Sequence, residues 1–240
     1  MQNIIFKEEL SSLKNISLID FLKEGNIPFY WKDFFNEEKV LNELQNISDR
    51  LKERRHMEIY PSLPNIFKTF SLCLKEVKLV ILGQDPYYNG NATGLCFSIP
   101  KGEKLNASLR NIYKELENEG FQVEKSGDIS HWLKKGCFML NTALTVEKNL
   151  PESHLKIWKN FTDLLLNYIA EKGKKIGWLL MGKHAAKYSY LTEKNGHKAF
   201  ITSHPSPLSC TRPLENYPSF IGSNIFNEIN DFLGERKIEF

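Results

Sequence analysis

The chain has 240 residues, of which 41% are hydrophobic and 25% are charged, and these proportions are typical of one large globular domain with a substantial core. Its 32 lysines and arginines against 29 aspartates and glutamates leave a net charge of only +3, so any nucleic-acid binding has to depend on a local basic patch. It contains no apolar run of about 18 residues, which argues against a transmembrane span. Acidic residues interrupt the N-terminal apolar stretch where a secretory signal would continue, so we expect an intracellular protein with no membrane association.

The hydrophobic pattern predicts helices and strands that alternate along the chain. Apolar residues at helical spacing predict helices over residues 40–51, 158–168 and 220–233, and a further helix that is capped by Ser108. Continuous apolar runs predict strands over residues 77–82, 137–140, 176–181 and 198–202. Strands that alternate with helices favour a parallel sheet between two helical layers. We therefore predict an α/β fold: a single three-layer α/β/α domain over residues 1–240 with a central four-stranded parallel sheet. Residues 1–29 are expected to form a peripheral N-terminal segment.

Neither the cysteines nor the histidines are spaced as metal ligands. The four cysteines include no C-x-x-C pair, and the six histidines include no H-x-x-H or H-E-x-x-H arrangement. We predict free, buried thiols at Cys73, Cys96, Cys137 and Cys210, and a site that uses no metal and no other cofactor.

Polar side chains follow three of the predicted strands. Asp85, Asn141 and His204 each come within a few residues of the end of an apolar run. Because the carboxyl ends of parallel strands meet at one edge of a sheet, we expect these side chains to converge there. An acid orients water or stabilises positive charge, an amide presents a donor and an acceptor, and an imidazole donates to a developing oxyanion. Such a set is suited to binding a polar heterocycle and cleaving at it.

Each of these residues also has a purely structural interpretation. Asp85 can initiate a turn, Asn141 can cap the segment after its strand, and His204 can be a satisfied loop histidine. On pattern alone, Phe97 is more typical of a core residue than of a stacking platform, and Leu208 can pack under its own loop. Spacing alone leaves both interpretations open.

Four segments, in the same order, resemble the motifs of family 1 uracil-DNA glycosylases. The segments are Gly83-Gln84-Asp85-Pro86-Tyr87, Gly94-Leu95-Cys96-Phe97-Ser98, Leu140-Asn141-Thr142-Ala143-Leu144-Thr145-Val146 and His204-Pro205-Ser206-Pro207-Leu208-Ser209. The resemblance extends over residues 30–233 and implies a four-stranded parallel sheet flanked by helices, in agreement with the pattern. It implies a DNA repair enzyme that flips uracil out of single- or double-stranded DNA and hydrolyses its N-glycosidic bond, leaving an abasic site.

The resemblance also implies a role for each motif residue near the base. Asp85 would stabilise positive charge on the sugar and position the water, and His204 would donate to the uracil oxygen as a neutral imidazole. The substrate-binding residues would be Gln84, through its backbone, Tyr87, which excludes the methyl group of thymine, Phe97, which stacks on the base, and Asn141, which bonds its polar edge. No metal is required.

Contacts to DNA are implied for a second group of residues. Leu208 would be the wedge that fills the space left by the flipped base, while Ser108, Ser206 and Lys183, aided by Lys187, would contact phosphates. The partners implied are uracil-containing DNA and a protein inhibitor that mimics DNA, and the protein is expected to act as a monomer.

The sequence departs from the family pattern at three places. Tyr88 stands where the family has histidine in the water-activating loop, Lys183 stands where it commonly has serine, and the segment 210–218 is longer than the usual loop. These departures motivate an alternative: a glycosylase-fold DNA-binding or replication-accessory protein with weak or lost catalysis. Another α/β hydrolase, in which Asp85 serves a phosphate ester or a metal, and a broader mismatch-specific glycosylase are the further alternatives.

Overall fold

The computed structural model describes residues 18–240, and the first 17 residues of the predicted N-terminal segment lie outside the described part of the chain. The strands are β1 (Ile59–Tyr60), β2 (Leu79–Gly83), β3 (Cys137–Asn141), β4 (Val146–Glu147), β5 (Gly177–Met181) and β6 (Lys198–Thr202). The helices are α1 (Leu18–Phe21), α2 (Lys32–Phe35), α3 (Glu38–Glu53), α4 (Ala107–Asn118), α5 (His131–Lys134), α6 (Leu155–Lys172), α7 (Lys183–Ala186) and α8 (Ile225–Leu233).

Four strands form one parallel sheet in the order β3-β2-β5-β6. Every residue of β2, β3 and β5 is buried, because helices cover both faces of the sheet, and Asn141 at the carboxyl end of β3 is the one amide side chain among them. The edge strand β6 is partly exposed. The predicted α/β/α fold with a four-stranded parallel sheet is confirmed. The sequence pattern did not predict the antiparallel pair β1 and β4, because two-residue strands are too short to show an alternating pattern.

An aromatic cluster joins the N-terminal helices to the sheet. The Trp31 ring centroid lies 5.2 Å from those of Phe70 and Phe138, and Trp31 Nε1 donates a hydrogen bond of 2.8 Å to the Leu72 carbonyl oxygen. Each buried aromatic or aliphatic side chain of this kind contributes roughly 1.5–3 kcal/mol through burial. Leu18 in α1 is also fully buried in the same core.

Helix α4 begins at a different residue from the one predicted. It starts at Ala107, and the cap is Asn106, whose side-chain oxygen accepts a hydrogen bond of 2.9 Å from the Leu109 backbone N–H. The predicted cap, Ser108, lies inside the first turn. Asparagine and serine are both good caps, so spacing alone could not decide between two such residues placed so closely.

The last helix is shorter than predicted. Helix α8 begins at Ile225, not at residue 220, because Asn224 has a left-handed backbone (φ 56°) that cannot continue a helix. The preceding turn is held by the buried carboxylate of Glu115, which accepts hydrogen bonds from the Gly222 and Asn224 backbone N–H groups. Glu119 caps the helix itself, and burial raises its pKa to about 7.

The four cysteines are free thiols, as predicted. Cys96, Cys137 and Cys210 are buried, whereas Cys73 is half-buried at the start of a 3₁₀ turn, so the prediction of burial is wrong for that residue. No helix within residues 18–240 is both long enough and apolar enough to cross a membrane.

Candidate active site

The polar residues singled out from the sequence lie at the carboxyl edge of the central sheet. Asp85 follows β2, Asn141 is the last residue of β3, and His204 follows β6. A cavity of about 390 Å³ opens at this edge, and its walls include Gln84, His204 and Lys183. The topology therefore delivers side chains from three separate strands to one face of the molecule.

Gly83 permits the closest approach in the site. A Cβ atom at this position would lie 2.2 Å from Asn141 Oδ1 and 2.7 Å from Cys96 Cβ, so only glycine fits. Asn141 is 7% exposed, and no protein group within the described residues 18–240 hydrogen-bonds its side-chain amide. An amide in this position has both its donor and its acceptor available to a ligand, because burial without a partner is otherwise unfavourable.

Asp85 is held by a backbone group from a distant loop. Its Oδ2 accepts a hydrogen bond of 2.7 Å from the Glu152 backbone N–H. Burial raises the pKa of the Asp85 carboxyl group; the hydrogen bond from Glu152 opposes this, and the negative charge of Glu152 adds to the increase. The carboxylate is therefore oriented, and protonation becomes easier than for an exposed aspartate.

Glu152 is a site residue that the sequence analysis missed. Its backbone has φ 65°, in the left-handed region, and its Oε1 accepts a hydrogen bond of 2.7 Å from Gln84 Nε2. It thus contacts both Gln84 and Asp85 from a position 67 residues or more along the chain. A lone glutamate in a turn carries no periodic or motif signal, so nothing in the sequence pointed to it.

His204 has a defined tautomer. Its Nδ1 accepts a hydrogen bond of 3.1 Å from the Ser206 backbone N–H, so the neutral ring carries its proton on Nε2. Burial lowers the pKa of His204, which favours this neutral form. The backbone of Gly182 passes close by: with φ 89°, a Cβ there would lie 2.9 Å from His204 Cβ. The ring is therefore fixed on one side by a glycine and on the other by its own loop.

Aromatic side chains complete the site. The Phe97 ring centroid lies 6.0 Å from that of His204 with the planes tilted by 38°, and the Phe97 backbone is left-handed, with φ 63°. Left-handed backbone at a bulky residue is strained, and such strain concentrates at functional positions. Tyr87 is half-buried, and burial raises the pKa of its hydroxyl group. Tyr88, in the position of the family histidine, is 43% exposed.

The loop that follows His204 presents Leu208 to solvent. Leu208 is 84% exposed, so the interpretation that it packs under its own loop is wrong. The loop is rigid around it: Ser209 Oγ donates to the His204 carbonyl oxygen at 2.9 Å, Ser206 Oγ lies 3.0 Å from Ser209 Oγ, and Asn111 donates to the Pro205 carbonyl oxygen at 2.8 Å. An exposed leucine on a braced loop is positioned to contact a partner.

The two remaining candidates for phosphate contacts lie on different elements. Ser108 is half-buried in the first turn of α4, and Lys183 is the exposed first residue of α7. Lys183 Nζ lies 3.7 Å from Glu215 Oε1, within the longer segment 210–218. Within residues 18–240, no group of three or more histidine, cysteine, aspartate or glutamate side chains is arranged to hold a metal ion.

A parallel sheet covered on both faces, with an acid, an amide and a neutral imidazole at the carboxyl ends of its strands, defines an enzyme of the α/β class with an acid–base site at the sheet edge. Comparison with known proteins narrows the class. The family model described as the uracil DNA glycosylase superfamily matches residues 70–233. The chain belongs to the uracil DNA glycosylase superfamily, and the predicted enzyme class is confirmed.

Individual relatives agree with this assignment. The chain is 39% identical to a uracil-DNA glycosylase of Psychromonas ingrahamii over 86% of this chain and 96% of that protein. It is 40% identical to a uracil-DNA glycosylase of Francisella tularensis over 86% of this chain and 94% of that protein. The crystal structure of mimivirus uracil-DNA glycosylase matches with a TM-score of 0.78 and 30% identity, over 88% of this chain and 85% of that one. A variant of the mimivirus protein in complex with UGI matches with a TM-score of 0.79 and 30% identity over 88% and 87% of the two chains.

Proposed function

We propose that this chain is a family 1 uracil-DNA glycosylase that flips uracil out of single- or double-stranded DNA and hydrolyses its N-glycosidic bond, leaving an abasic site. The observation that carries the proposal is the buried Asn141 amide, which has no protein partner within the described residues and lies against Gly83 at the sheet edge. A pyrimidine edge with one donor and one acceptor satisfies that amide. The motifs around Asp85 and His204 supply the chemistry.

Recognition of uracil is proposed to depend on four residues. The Asn141 amide donates to one uracil oxygen and accepts from the ring N–H, and Phe97 stacks on the ring face. Tyr87 occupies the space next to ring carbon C5 and so excludes the methyl group of thymine. The backbone of Gln84 contacts the base. Flipping costs a few kcal/mol in lost pairing and stacking, which these contacts offset.

The bond that breaks joins the sugar C1′ atom to the base nitrogen N1. Its electron pair leaves with uracil, so negative charge develops on the base and positive charge on the sugar. His204 Nε2–H donates to the uracil oxygen, and a preformed donor of this kind contributes roughly 10²–10³ in rate. Ionised Asp85 stabilises the cationic sugar and orients the water that attacks C1′. The proton of that water passes to Asp85 or to solvent.

DNA binding is proposed to use the surface around the site. Leu208 enters the stack where the base has left, and Ser108, Ser206 and Lys183 contact phosphates. An inhibitor protein that mimics DNA is a proposed partner, supported by the UGI complex of the mimivirus relative. We further propose that residues 1–240 act as a single domain and a monomer, with part of residues 1–29 peripheral to it.

The proposal is tested by release of free uracil from single-stranded and duplex DNA, measured with and without chelator. Wild type is expected to release uracil under both conditions. Asp85→Asn is expected to be slower by about 10²–10⁴ while it still binds DNA, because the base that orients water is lost. Asp231→Asn, an exposed aspartate in α8, is the matched control and should behave as wild type.

Two outcomes would contradict the proposal. Asp85→Asn turning over at the wild-type rate would remove Asp85 from the mechanism. Wild type that binds uracil-containing DNA without releasing uracil would favour the accessory-protein alternative, and Tyr88→His would then show whether the altered loop is the cause.

A further inference from the structure

A second cavity lies beside the one at the sheet edge. Its volume is about 330 Å³, and it is lined by Thr142, Leu155, Lys156, Lys159, Asp163, His184, Lys187, Tyr188 and Tyr190. His184 and Lys187 line both cavities. Of its lining residues, the resemblance gave a role to Lys187 alone, as a phosphate contact, and none of the roles proposed above uses Lys156, Lys159 or Tyr190.

A hydrogen-bonded chain of Gln84, Thr142 and His184 joins the walls of the two cavities. Thr142 Oγ1 donates to the Gln84 carbonyl oxygen at 2.9 Å and lies 2.7 Å from His184 Nε2. Thr142 has a single hydroxyl proton, so in the second bond it accepts and His184 Nε2–H donates. Burial lowers the pKa of His184, which keeps the ring neutral. This hydrogen-bonded chain is therefore uncharged, and the two cavities are neighbours that share His184 and Lys187 in their walls.

The charge of the second cavity suits a phosphate. Lys159 pairs with Asp163, whereas Lys156 and Lys187 form no ion pair with any residue in the part of the chain that the structure describes. Two lysines without an acidic partner in the lining of one cavity attract an anion. Burial raises the pKa of Tyr188 to about 12, so its hydroxyl stays neutral.

The aromatic groups of the cavity suit a base. Tyr190 is about half exposed and lines the cavity together with Lys156, Lys159 and Lys187. Exposed aromatic rings beside lysines are the elements that proteins use to bind single-stranded nucleic acid, because bases stack on the ring while cations follow the backbone. The cavity volume falls in the range of small-ligand sites.

We propose that this cavity binds a nucleotide of the same DNA strand next to the flipped uracil, with its phosphate held by Lys156 and Lys187 and its base stacked on Tyr190. The proposal rests on the proposed function, because it places the strand at the sheet-edge cavity. It assigns to this enzyme a nucleotide subsite outside the base pocket. A free deoxynucleoside monophosphate has the same chemistry and is the other source of such a ligand.

The test measures affinity for short single-stranded oligonucleotides that carry uracil at the 5′ end, at the 3′ end or in the centre. Binding is followed by fluorescence anisotropy over a range of salt concentrations, in the Asp85→Asn protein so that uracil is not consumed. Lys156→Gln is expected to weaken binding about threefold and to lower the slope of log Kd against log salt by about 0.7, the value for one phosphate contact on a single strand. Lys172→Gln, at the far end of α6, is the matched control and should leave both unchanged.

Tyr190→Ala is expected to weaken binding by roughly tenfold, as for the loss of one base stack. Tyr190→Phe should restore most of that loss, because stacking needs the ring and not the hydroxyl group. The cavity takes the nucleotide on one side of uracil, so one of the two oligonucleotides with a terminal uracil has no nucleotide to fill it. For that oligonucleotide, the effects of Lys156→Gln and Tyr190→Ala should both disappear.

Three results would overturn the subsite. One is a salt slope for Lys156→Gln equal to that of Lys172→Gln. Another is an effect of Tyr190→Ala that persists both with uracil at the 5′ end and with uracil at the 3′ end. The third is competition by free deoxynucleoside monophosphate at the cavity with no dependence on strand position. Failure of the proposed function gives a different result from these three, because wild type would then release no uracil.

Discussion

The Glu152 backbone N–H donates a hydrogen bond of 2.7 Å to Asp85 Oδ2, and this bond fixes the carboxylate that we propose orients the attacking water. The same residue places a second carboxylate beside the first. Burial raises the pKa of Asp85, the N–H group of Glu152 opposes the increase, and the charge of Glu152 adds to it. Glu152 is thus a positioning residue that also adjusts the acidity of its neighbour.

Replacing Glu152 by glutamine keeps the backbone hydrogen bond and the acceptor for Gln84 but removes the charge. Without the like charge, ionised Asp85 is favoured, so its pKa falls. Activity that requires ionised Asp85 should then persist to lower pH. We expect the acid limb of the kcat/KM profile to move to lower pH in Glu152→Gln. Glu235→Gln, a distant exposed glutamate, should leave the limb in place, and a shift to higher pH in Glu152→Gln would contradict the assigned role.

Leu208→Ala is expected to slow uracil release from duplex DNA about tenfold or more and to affect single-stranded DNA little. Only a duplex has a stack to fill, and full burial of a leucine side chain contributes roughly 1.5–3 kcal/mol. Because Leu208 is exposed in the free protein, stability should change by less than about 0.5 kcal/mol. Leu208→Met, which keeps the volume, should retain most of the duplex activity. Equal losses on both substrates would show that Leu208 is not a wedge.

Gly83→Ala should damage both stability and activity. The added methyl group would meet Asn141 Oδ1 and Cys96 Cβ, so the amide has to move, at a cost of roughly 1–3 kcal/mol for overpacking. Urea denaturation and uracil release measure the two effects. Gly177→Ala in β5 is the comparison variant: its Cβ would lie 3.1 Å from Leu79 Cδ1 and 3.3 Å from Phe200 Cε2, so it should cost some stability but leave Asn141 and uracil release unchanged. If Gly83→Ala keeps full activity, Asn141 does not read the base.

Tyr87→Ala should lower the ratio of kcat/KM for uracil to that for thymine. Removing the ring opens the space beside C5, so the methyl group of thymine is accommodated. Tyr87→Phe should retain selectivity, because exclusion depends on the ring and not on the hydroxyl group. The measurement is release of each free base from matched oligonucleotides, and strict rejection of thymine by Tyr87→Ala would place the selectivity elsewhere.

The sequence predicted the sheet and the elements that bring Asp85, Asn141 and His204 to one edge, because continuous apolar runs report strands covered on both faces. It did not predict Glu152, whose contact with Asp85 joins residues 67 positions apart. Periodicity and spacing describe neighbours along the chain, and they carry no information about which turn folds over which strand. The same limit explains the choice of Asn106 over Ser108 as a helix cap, which depends on backbone geometry at a single residue.

The ion pair between Lys183 and Glu215 lies at the position of a proposed phosphate contact. A phosphate that binds Lys183 replaces the Glu215 carboxylate 3.7 Å away, so the lysine exchanges one anion for another. A lysine that already has a carboxylate neighbour gains less free energy from a phosphate than an isolated lysine does, because the carboxylate pair has to be given up. The segment 210–218 thereby acts as an internal counterion. In the proposed complex with DNA the Glu215 side chain would lose this partner, whereas its turn stays closed by the two hydrogen bonds between the Leu214 and Tyr217 backbones.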